Sequence, residues 1–458
     1  MSWPRRPSEN RDSGKSMGEF DSKSASLSSS SSPPPPHDPS ALAVPEAIIP
    51  AEDPDSRDRY GFKKENQYIT RAAYDAWNET YTPYLDRRRW KWVAFMKENN
   101  LSTDHPNRFP PPGAKTKRFV RKGIPPEWRG AAWFYYAGGP AILGRHAGLY
   151  DRLLRKKPKR ADADIIERDL HRTFPDNEAF RPPGTSTATG AENGGAPEPA
   201  MIAALRRVLY AFSIHNPKIG YCQSLNFIAG LLLLFVPTEE QAFWLLNIVT
   251  QTLLPGTHET NLEGSKVDLG VLMTALRSNM PELWDKLAGD EGIGGDGVRP
   301  GTARSTTGGR HHHHRSRRAR DATPISKDRL PPITITMAAW FMSCFIGTLP
   351  VEPTLRVWDV FFYEGSKTLF RAALAILKVG EAQIEAVEDP MEMFAVVQGI
   401  PRAMLDANAL LETCFRRRGG FGSLGQGVVD DGRREMRGDE GGKRGLFSRR
   451  RRRDTEVA

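Results

Sequence analysis

The chain has 458 residues, of which 39% are apolar, with 41 glycines and 36 prolines; this balance excludes several fully packed domains and implies one large core with unpacked stretches around and inside it. Its net charge of +10 is concentrated in residues 286–330 (10 basic, 5 acidic) and 416–458 (13 basic, 7 acidic), so the remainder is near neutral and a nucleic-acid-binding core is not expected. The 3 cysteines, Cys222, Cys344 and Cys414, are too scattered for a disulfide framework or a zinc site, and no apolar run reaches the ~20 residues of a membrane helix.

Residues 1–57 are rich in Ser and Pro, including Ser28–Ser32 followed by Pro33–Pro36, and hold too few large apolar side chains to offset chain entropy. Met1–Glu19 lacks the apolar stretch of a secretory signal, so a reducing, cytoplasmic compartment is expected. Residues 58–117 form a helical lead-in: Tyr74, Trp77, Tyr81, Tyr84, Trp90, Trp92 and Phe95 recur at spacings near three and four, as on a pair of amphipathic helices with an aromatic core face. Residues 118–415 then read as helix almost throughout. Leu205, Val208, Leu209 and Phe212 share a face, Cys222–Phe235 is apolar nearly all round, and Ala242, Leu245, Leu246 and Val249 keep helical spacing. Later segments, Val267–Asn279, Met337–Phe345, Thr354–Phe362 and Leu369–Gly380, repeat the pattern, with Pro237, Pro255, Pro281, Pro350 and Pro353 between segments. With no sustained period-two alternation, the fold class is all-α. Residues 182–199 (Gly/Thr/Ala-rich) and 287–330 (Gly/Arg/His-rich) are insertions expected to lie in solvent, and residues 416–458 form a basic tail expected to be disordered.

Three signals carry little chemistry. Gly365-Ser366-Lys367-Thr368 looks like the end of a phosphate-binding loop, but Ser366 separates glycine from lysine and no strand precedes it, so a helix–helix turn is expected. His311–His314 has no carboxylate or cysteine beside it. Arg449–Arg453 reads as a solvated run, as a patch that settles on an anionic membrane surface, or as a nuclear-import signal.

Two stretches stand apart. In Ile165–Pro175, Ile166 and Leu170 face the core while Asp169 and Arg172, three apart, are close enough to interact. Pro175 forces Phe174 out of the helical region, which puts Arg172 in the last helical turn, where the dipole favours a cation. In Asn216–Asn226, Asn-Pro and Gly220 make a turn into an apolar helix whose first turns carry the amides of Gln223 and Asn226. Capping and polar satisfaction at a core edge account for such amides equally well.

These residues bring out a resemblance. Gly123-Ile124-Pro125-Pro126 with Trp128-Arg129-Gly130 and Trp133, then Ile166, Asp169, Arg172 and Thr173, then Gly220-Tyr221-Cys222-Gln223 with Asn226, stand in the order and approximate spacing of the TBC-domain Rab GTPase-activating proteins. The chain resembles that family from about Arg118 to Phe415, through Phe243-Trp244, Asp268, Trp340-Phe341, Trp358-Asp359 and Gly365. The resemblance implies a multi-helix domain that stimulates a Rab-family GTPase in its GTP state, with Arg172 as arginine finger and Gln223 as glutamine finger, both supplied in trans. It further implies that Asp169 and Thr173 support the arginine, that Tyr221 and Asn226 support the glutamine, and that the domain has no metal or nucleotide of its own, since GTP and Mg2+ belong to the partner. A location peripheral to secretory or endocytic membranes follows as an expectation, and Asp58-Arg59-Tyr60-Gly61-Phe62 is similar to the subgroup linked to secretory Rabs and polarised growth. Ser224-Leu225 stands where the family often has Gly-Met, a change expected to be tolerated. The alternative is a scaffold of the same fold that binds a Rab without stimulating it.

Overall fold

The computed structural model describes residues 56–181, 198–288 and 325–438. His311–His314, Arg449–Arg453 and most of both insertions lie outside the described residues. Among those described, the elements are helices joined by turns, with only isolated bridges such as Asn66–Ile69 and no strand.

The first helix, α1 (Arg71–Glu98), begins where the Thr70 hydroxyl accepts from the Ala73 amide. The sequence predicts a helix pair here, but the structure has one continuous helix with Pro83 inside it. Proline removes one backbone donor and is tolerated because Pro83 faces solvent, while Trp77, Tyr81 and Tyr84 stack along the other face at 4.7 and 5.6 Å and bind the two halves together. Trp92 and Phe95 enter the core as expected; Trp90 does not and is 79% exposed.

There follow α2 (Ala114–Arg121), α3 (Arg129–Tyr136), α4 (Gly139–Arg145), α5 (Leu149–Leu154) and α6 (Arg160–Leu170). After the first gap come α7 (Ala200–His215), α8 (Leu225–Leu233) and α9 (Glu239–Ile248), then α10 (Glu263–Asn279) and α11 (Pro281–Ala288). Beyond the second gap lie α12 (Thr334–Met342), α13 (Val351–Glu364), α14 (Lys367–Val379), α15 (Glu381–Ala386), α16 (Pro390–Gly399), α17 (Ala407–Phe415) and α18 (Gln426–Arg437).

Helices α7 and α13 organise the packing. The former lies against α5, α6, α8 and α9, and the latter against α2, α3, α14 and α17. Every residue of α13 from Glu352 to Phe362 is buried, as expected of a helix enclosed by neighbours on all sides. Its polar residues are satisfied from distant parts of the chain. Arg129, fully buried, reaches both Glu352 oxygens at 2.6 and 3.2 Å, and Tyr60 and Tyr81 donate hydroxyls to the same carboxylate at 2.5 and 2.7 Å. Burial alone would raise the Glu352 carboxyl, yet the Arg129 charge and these donors hold it below its ordinary range. Asp359 accepts from the Trp133 indole at 2.9 Å and the Ile124 amide at 3.1 Å.

Three boundaries differ from expectation. Leu287 and Ala288 are buried at the end of α11, and Ile325 and Leu330 pack on the core, so the second insertion is anchored by apolar residues at both edges. Glu198, at the edge of the first, pairs with Arg206 through both oxygens at 2.6 Å. The tail from Arg416 onward, expected to be disordered, instead continues into α18, whose Arg433 is buried and grips Asp268 on α10 at 2.7 and 3.1 Å. Local sequence does not reveal this burial, because a buried arginine needs a bidentate acceptor and that acceptor lies 165 residues away.

The Gly365–Thr368 segment is the expected helix–helix turn. Gln426 accepts from the Lys367 amide at 3.1 Å and donates to the Ser366 hydroxyl at 3.0 Å, so a protein side chain fills the place a phosphate would take.

Candidate functional site

The site is built from the loop leaving α6 and the loop entering α8. Helix α6 ends at Leu170, so Arg172 lies just past the helix in a turn, one step later than the sequence predicts. Its amide and that of Thr173 bond to the carbonyls of Asp169 and Leu170 at 3.2 and 3.1 Å, which closes the turn. Phe174 follows with φ of 49°, consistent with exclusion from the right-handed helical region before Pro175. Its ring wedges among Phe62, Phe180 and Phe227 at 5.2 to 5.6 Å.

The second loop is prepared by Asn216, whose carbonyl accepts from the Ile219 and Gly220 amides at 3.0 and 2.8 Å. Asn216 itself is tied to Asn247 and Gln251 at 2.7 and 3.0 Å. Gly220 has φ of 58°, and a Cβ there would come within 2.6 Å of the Asp162 carboxylate. The loop then turns sharply at Ser224, with φ of 105°, and α8 starts at Leu225. Gln223 therefore sits ahead of the helix, not in its first turn, and makes no capping bond.

Across these loops the residues alternate between tied and free. Asp169 is buried and accepts from the Tyr221 hydroxyl at 2.8 Å. Thr173 is buried, donates to the Asp169 carbonyl at 2.9 Å and accepts from the Asn226 amide at 2.8 Å. The Asn226 oxygen in turn accepts from the Ser224 amide at 3.2 Å. Two buried pairs, Asp169–Tyr221 and Thr173–Asn226, thus bolt the loops together. Burial, then the hydrogen bond to the Asp169 carboxylate, pushes the Tyr221 phenol well above its ordinary value, which favours its role as donor in this bond.

Between the members of those pairs lie the free side chains. Arg172 has a side chain 72% exposed, and its nearest carboxylate oxygen, on Asp169, is 3.9 Å away, too far for a hydrogen bond. Gln223 is exposed, and its amide has no hydrogen-bond partner among the described residues. An exposed guanidinium, in only a loose ion pair with Asp169, and an exposed amide stand on two segments that the buried frame joins. Such a pair can bind anionic oxygens and orient a water, and it has no nucleophile or proton donor for chemistry of its own.

Comparison with known proteins places the chain in a family. A protein from Saccharomyces cerevisiae described as GTPase-activating protein MSB4 is 38% identical over 423 residues, spanning 83% of this chain and 81% of that protein, and the Rab-GTPase-TBC domain family profile matches residues 127–294 and 331–385. The chain belongs to the Rab-GTPase-TBC domain family. A second yeast relative, GTPase-activating protein GYP3, is 40% identical over 415 residues; they span 81% of this chain and 62% of that relative's length. In structure, the TBC domain resembles the crystal structure of the Chlamydomonas flagellar RabGAP TBC domain, with a TM-score of 0.57 and 25% identity over 79% of this chain and all of that one.

Of the six residues singled out from the sequence, five are joined by contacts in this TBC domain: Asp169 at the end of α6 with Arg172 and Thr173 in the turn after it, Tyr221 on the second loop and Asn226 in the first turn of α8, while Gln223 stands exposed between Tyr221 and Asn226. The sequence missed the part played by the lead-in. Asn177 donates to the Tyr60 carbonyl at 2.8 Å and the Glu178 amide to that of Gly61 at 3.2 Å, while Arg57 reaches the carbonyls of Gly61 and Asp176. Residues 57–62 thus clamp the far side of the arginine loop, and Arg57, assigned to the disordered N-terminal segment, is part of the fold. The available signal was the glycine between two aromatics in Tyr60-Gly61-Phe62, which was read only as a mark of resemblance.

Ser224 also deserved more weight. Its positive φ is the region that glycine occupies freely, so the family's glycine there has a backbone reason, and serine carries a strain of about 1–3 kcal/mol.

Proposed function

We propose that this chain stimulates GTP hydrolysis on a Rab-type GTPase in its GTP state by inserting Arg172 and Gln223 into the partner's nucleotide site. The supporting observation is the alternation at the two loops: the four neighbours are buried and cross-linked, while the two side chains suited to phosphoryl transfer are exposed. Phosphoryl transfer requires positive charge against the phosphate oxygens in the transition state and a group that aligns the attacking water. Arginine supplies a permanent, planar charge with paired donors. Glutamine supplies a donor and an acceptor on one amide, which suits a water that must give up its proton while attacking.

The bolted frame matters because a transition-state contact accelerates the reaction only if little ordering remains to be done when it forms. Asp169 and Thr173 fix the backbone on either side of Arg172, and Tyr221 and Asn226 do the same for Gln223, so the ordering is completed on folding. GTP and Mg2+ are the partner's; the domain needs no metal or nucleotide of its own. The activity belongs at the cytoplasmic face of secretory or endocytic membranes, where such partners reside, with residues 449–453 adding attraction to anionic lipid.

The test is single-turnover hydrolysis of GTP preloaded on purified Rabs. Arg172→Ala and Arg172→Lys are each expected to lower stimulation by about 10³-fold or more with helicity unchanged. Gln223→Ala should abolish stimulation while Rab binding persists, and a Rab whose own catalytic glutamine is replaced by alanine should still respond to the wild-type chain. Full stimulation by folded Gln223→Ala would leave an arginine-only mechanism. Wild-type Rab binding with no stimulation of any Rab would leave the scaffold reading.

A further inference from the structure

Among the described residues, basic side chains gather around a cavity of about 620 Å³ between α1, α2 and α17, floored by α13. Its rim carries Arg87 and Lys91 from α1 and Arg118 and Lys122 from α2 and its end, all exposed. None of these four side chains has a hydrogen-bond or ion-pair partner among the described residues. They contrast with their neighbours: Lys115 pairs with Glu98, Lys117 with Glu364, and Arg89 with Glu127 at 2.7 Å.

The floor is positive as well. Arg88 and Arg356 are 4% and 1% exposed, and Arg356 is held by Tyr81 and Asn408 at 3.0 and 2.9 Å. Neither has a carboxylate within ion-pair distance, and burial first, then the nearby Arg356 charge, draws Arg88 down to about 10. The carboxylate that lines the cavity, Glu412, is taken by Arg416 at 2.6 Å. Four exposed cations without ion-pair partners therefore rim one concavity above two buried arginines that share only the more distant Asp359 charge. Single unpaired surface cations are ordinary; a walled group of one sign carries self-repulsion that a bound anion would relieve.

The walls narrow the ligand. The volume suits a small molecule rather than a chain, and the rings of Phe415 and Tyr84 are already met by Arg121 and Arg356 at 3.9 and 5.8 Å, so recognition falls to anionic groups and not to a stacked aromatic ring. We propose that this cavity binds a multiply phosphorylated polyol, its phosphates held by Arg87, Lys91, Arg118 and Lys122. The same chemistry occurs in soluble inositol polyphosphates and in phosphorylated inositol lipid headgroups. Trp90, 79% exposed and one residue from Lys91, is placed as an amphipathic indole would be if the cavity opened onto a bilayer.

The test uses the full chain and its Arg118→Ala/Lys122→Ala variant, both positions being exposed and apart from the two catalytic loops. Calorimetry with inositol hexakisphosphate should give one site per chain, weakened about tenfold or more in the variant through loss of two charge-assisted contacts. Flotation with phosphatidylcholine vesicles holding either bisphosphorylated phosphatidylinositol or phosphatidylserine at matched charge separates the sources. Preference for the inositol lipid that both the double variant and Trp90→Ala lose identifies the headgroup; soluble binding without that preference identifies a free polyphosphate. Both forms carry the basic tail, so equal affinity of wild type and variant for inositol hexakisphosphate, or no saturable binding by either, overturns the proposal.

Discussion

Replacing Tyr221 with Phe removes one oxygen and no packing volume, which isolates a single bond in the frame. That oxygen donates to Asp169 at 2.8 Å, and Asp169 is 5% exposed with Arg172, at 3.9 Å, as its other side-chain contact. The variant strands a buried carboxylate oxygen, which costs about 1.5–3 kcal/mol for a charged acceptor. In a domain of this size the melting temperature should fall by roughly 4 °C. A second effect follows from charge: the bare carboxylate draws the Arg172 guanidinium inward from 3.9 Å to hydrogen-bond distance, so the arginine must be pulled off before it can reach a phosphate. Stimulation of GTP hydrolysis should therefore fall by more than the lost stability explains, measured at a temperature where both forms are fully folded. A double-mutant cycle with Asp169→Asn should return a coupling of about 1–2 kcal/mol. Unchanged melting and unchanged stimulation in Tyr221→Phe would refute the account of the frame.

Three further outcomes are expected. Ser224→Gly should raise stability by about 1 kcal/mol by relieving the positive φ, with stimulation retained, as read by thermal melting; a loss of stability would show that the turn is unstrained. Arg433→Ala should cost about 3–5 kcal/mol in denaturant unfolding, because Asp268, 2% exposed, is left without its counter-charge. His258 is buried with Nε2 on the Met342 carbonyl at 2.8 Å, and burial lowers its pKa from 6.5. Since the unfolded chain then takes up a proton that the folded one refuses, stability is lost as pH falls below 6.5, by up to about 1.4 kcal/mol per unit, and His258→Gln should flatten that slope.

The all-helical core was legible because burial leaves periodic apolar residues, and α7, α9 and α10 appear where that period runs. Arg172 and Gln223 were legible for a different reason: each stands in a short motif whose residue types narrow the chemistry. The bolts between the loops were not. Asp169 and Tyr221 are 52 residues apart and Thr173 and Asn226 are 53 apart, and nothing in local sequence states which hydroxyl meets which carboxylate. The same blindness hid α18, where a run of charges looks solvated until the distant Asp268 is known. Pro83 misled for the opposite reason, since a local breaker was outweighed by stacked aromatics on the buried face.

The buried Arg129 has a consequence for how the chain is made. Its carboxylate partners, Glu352 and Asp359, follow it by 223 residues or more, while Tyr60 precedes it by 69. At a synthesis rate of about 5–20 residues per second, the arginine leaves the ribosome roughly 10–45 s before its counter-charges do. During that interval α3 has a cation on the face it must later bury, and α1 has Tyr81 waiting for the same carboxylate. The seam between α3 and α13 therefore closes late, whereas α7 to α9 can already pack on α5 and α6, so the domain is expected to gather in two stages with the Arg129 ion pairs formed in the second.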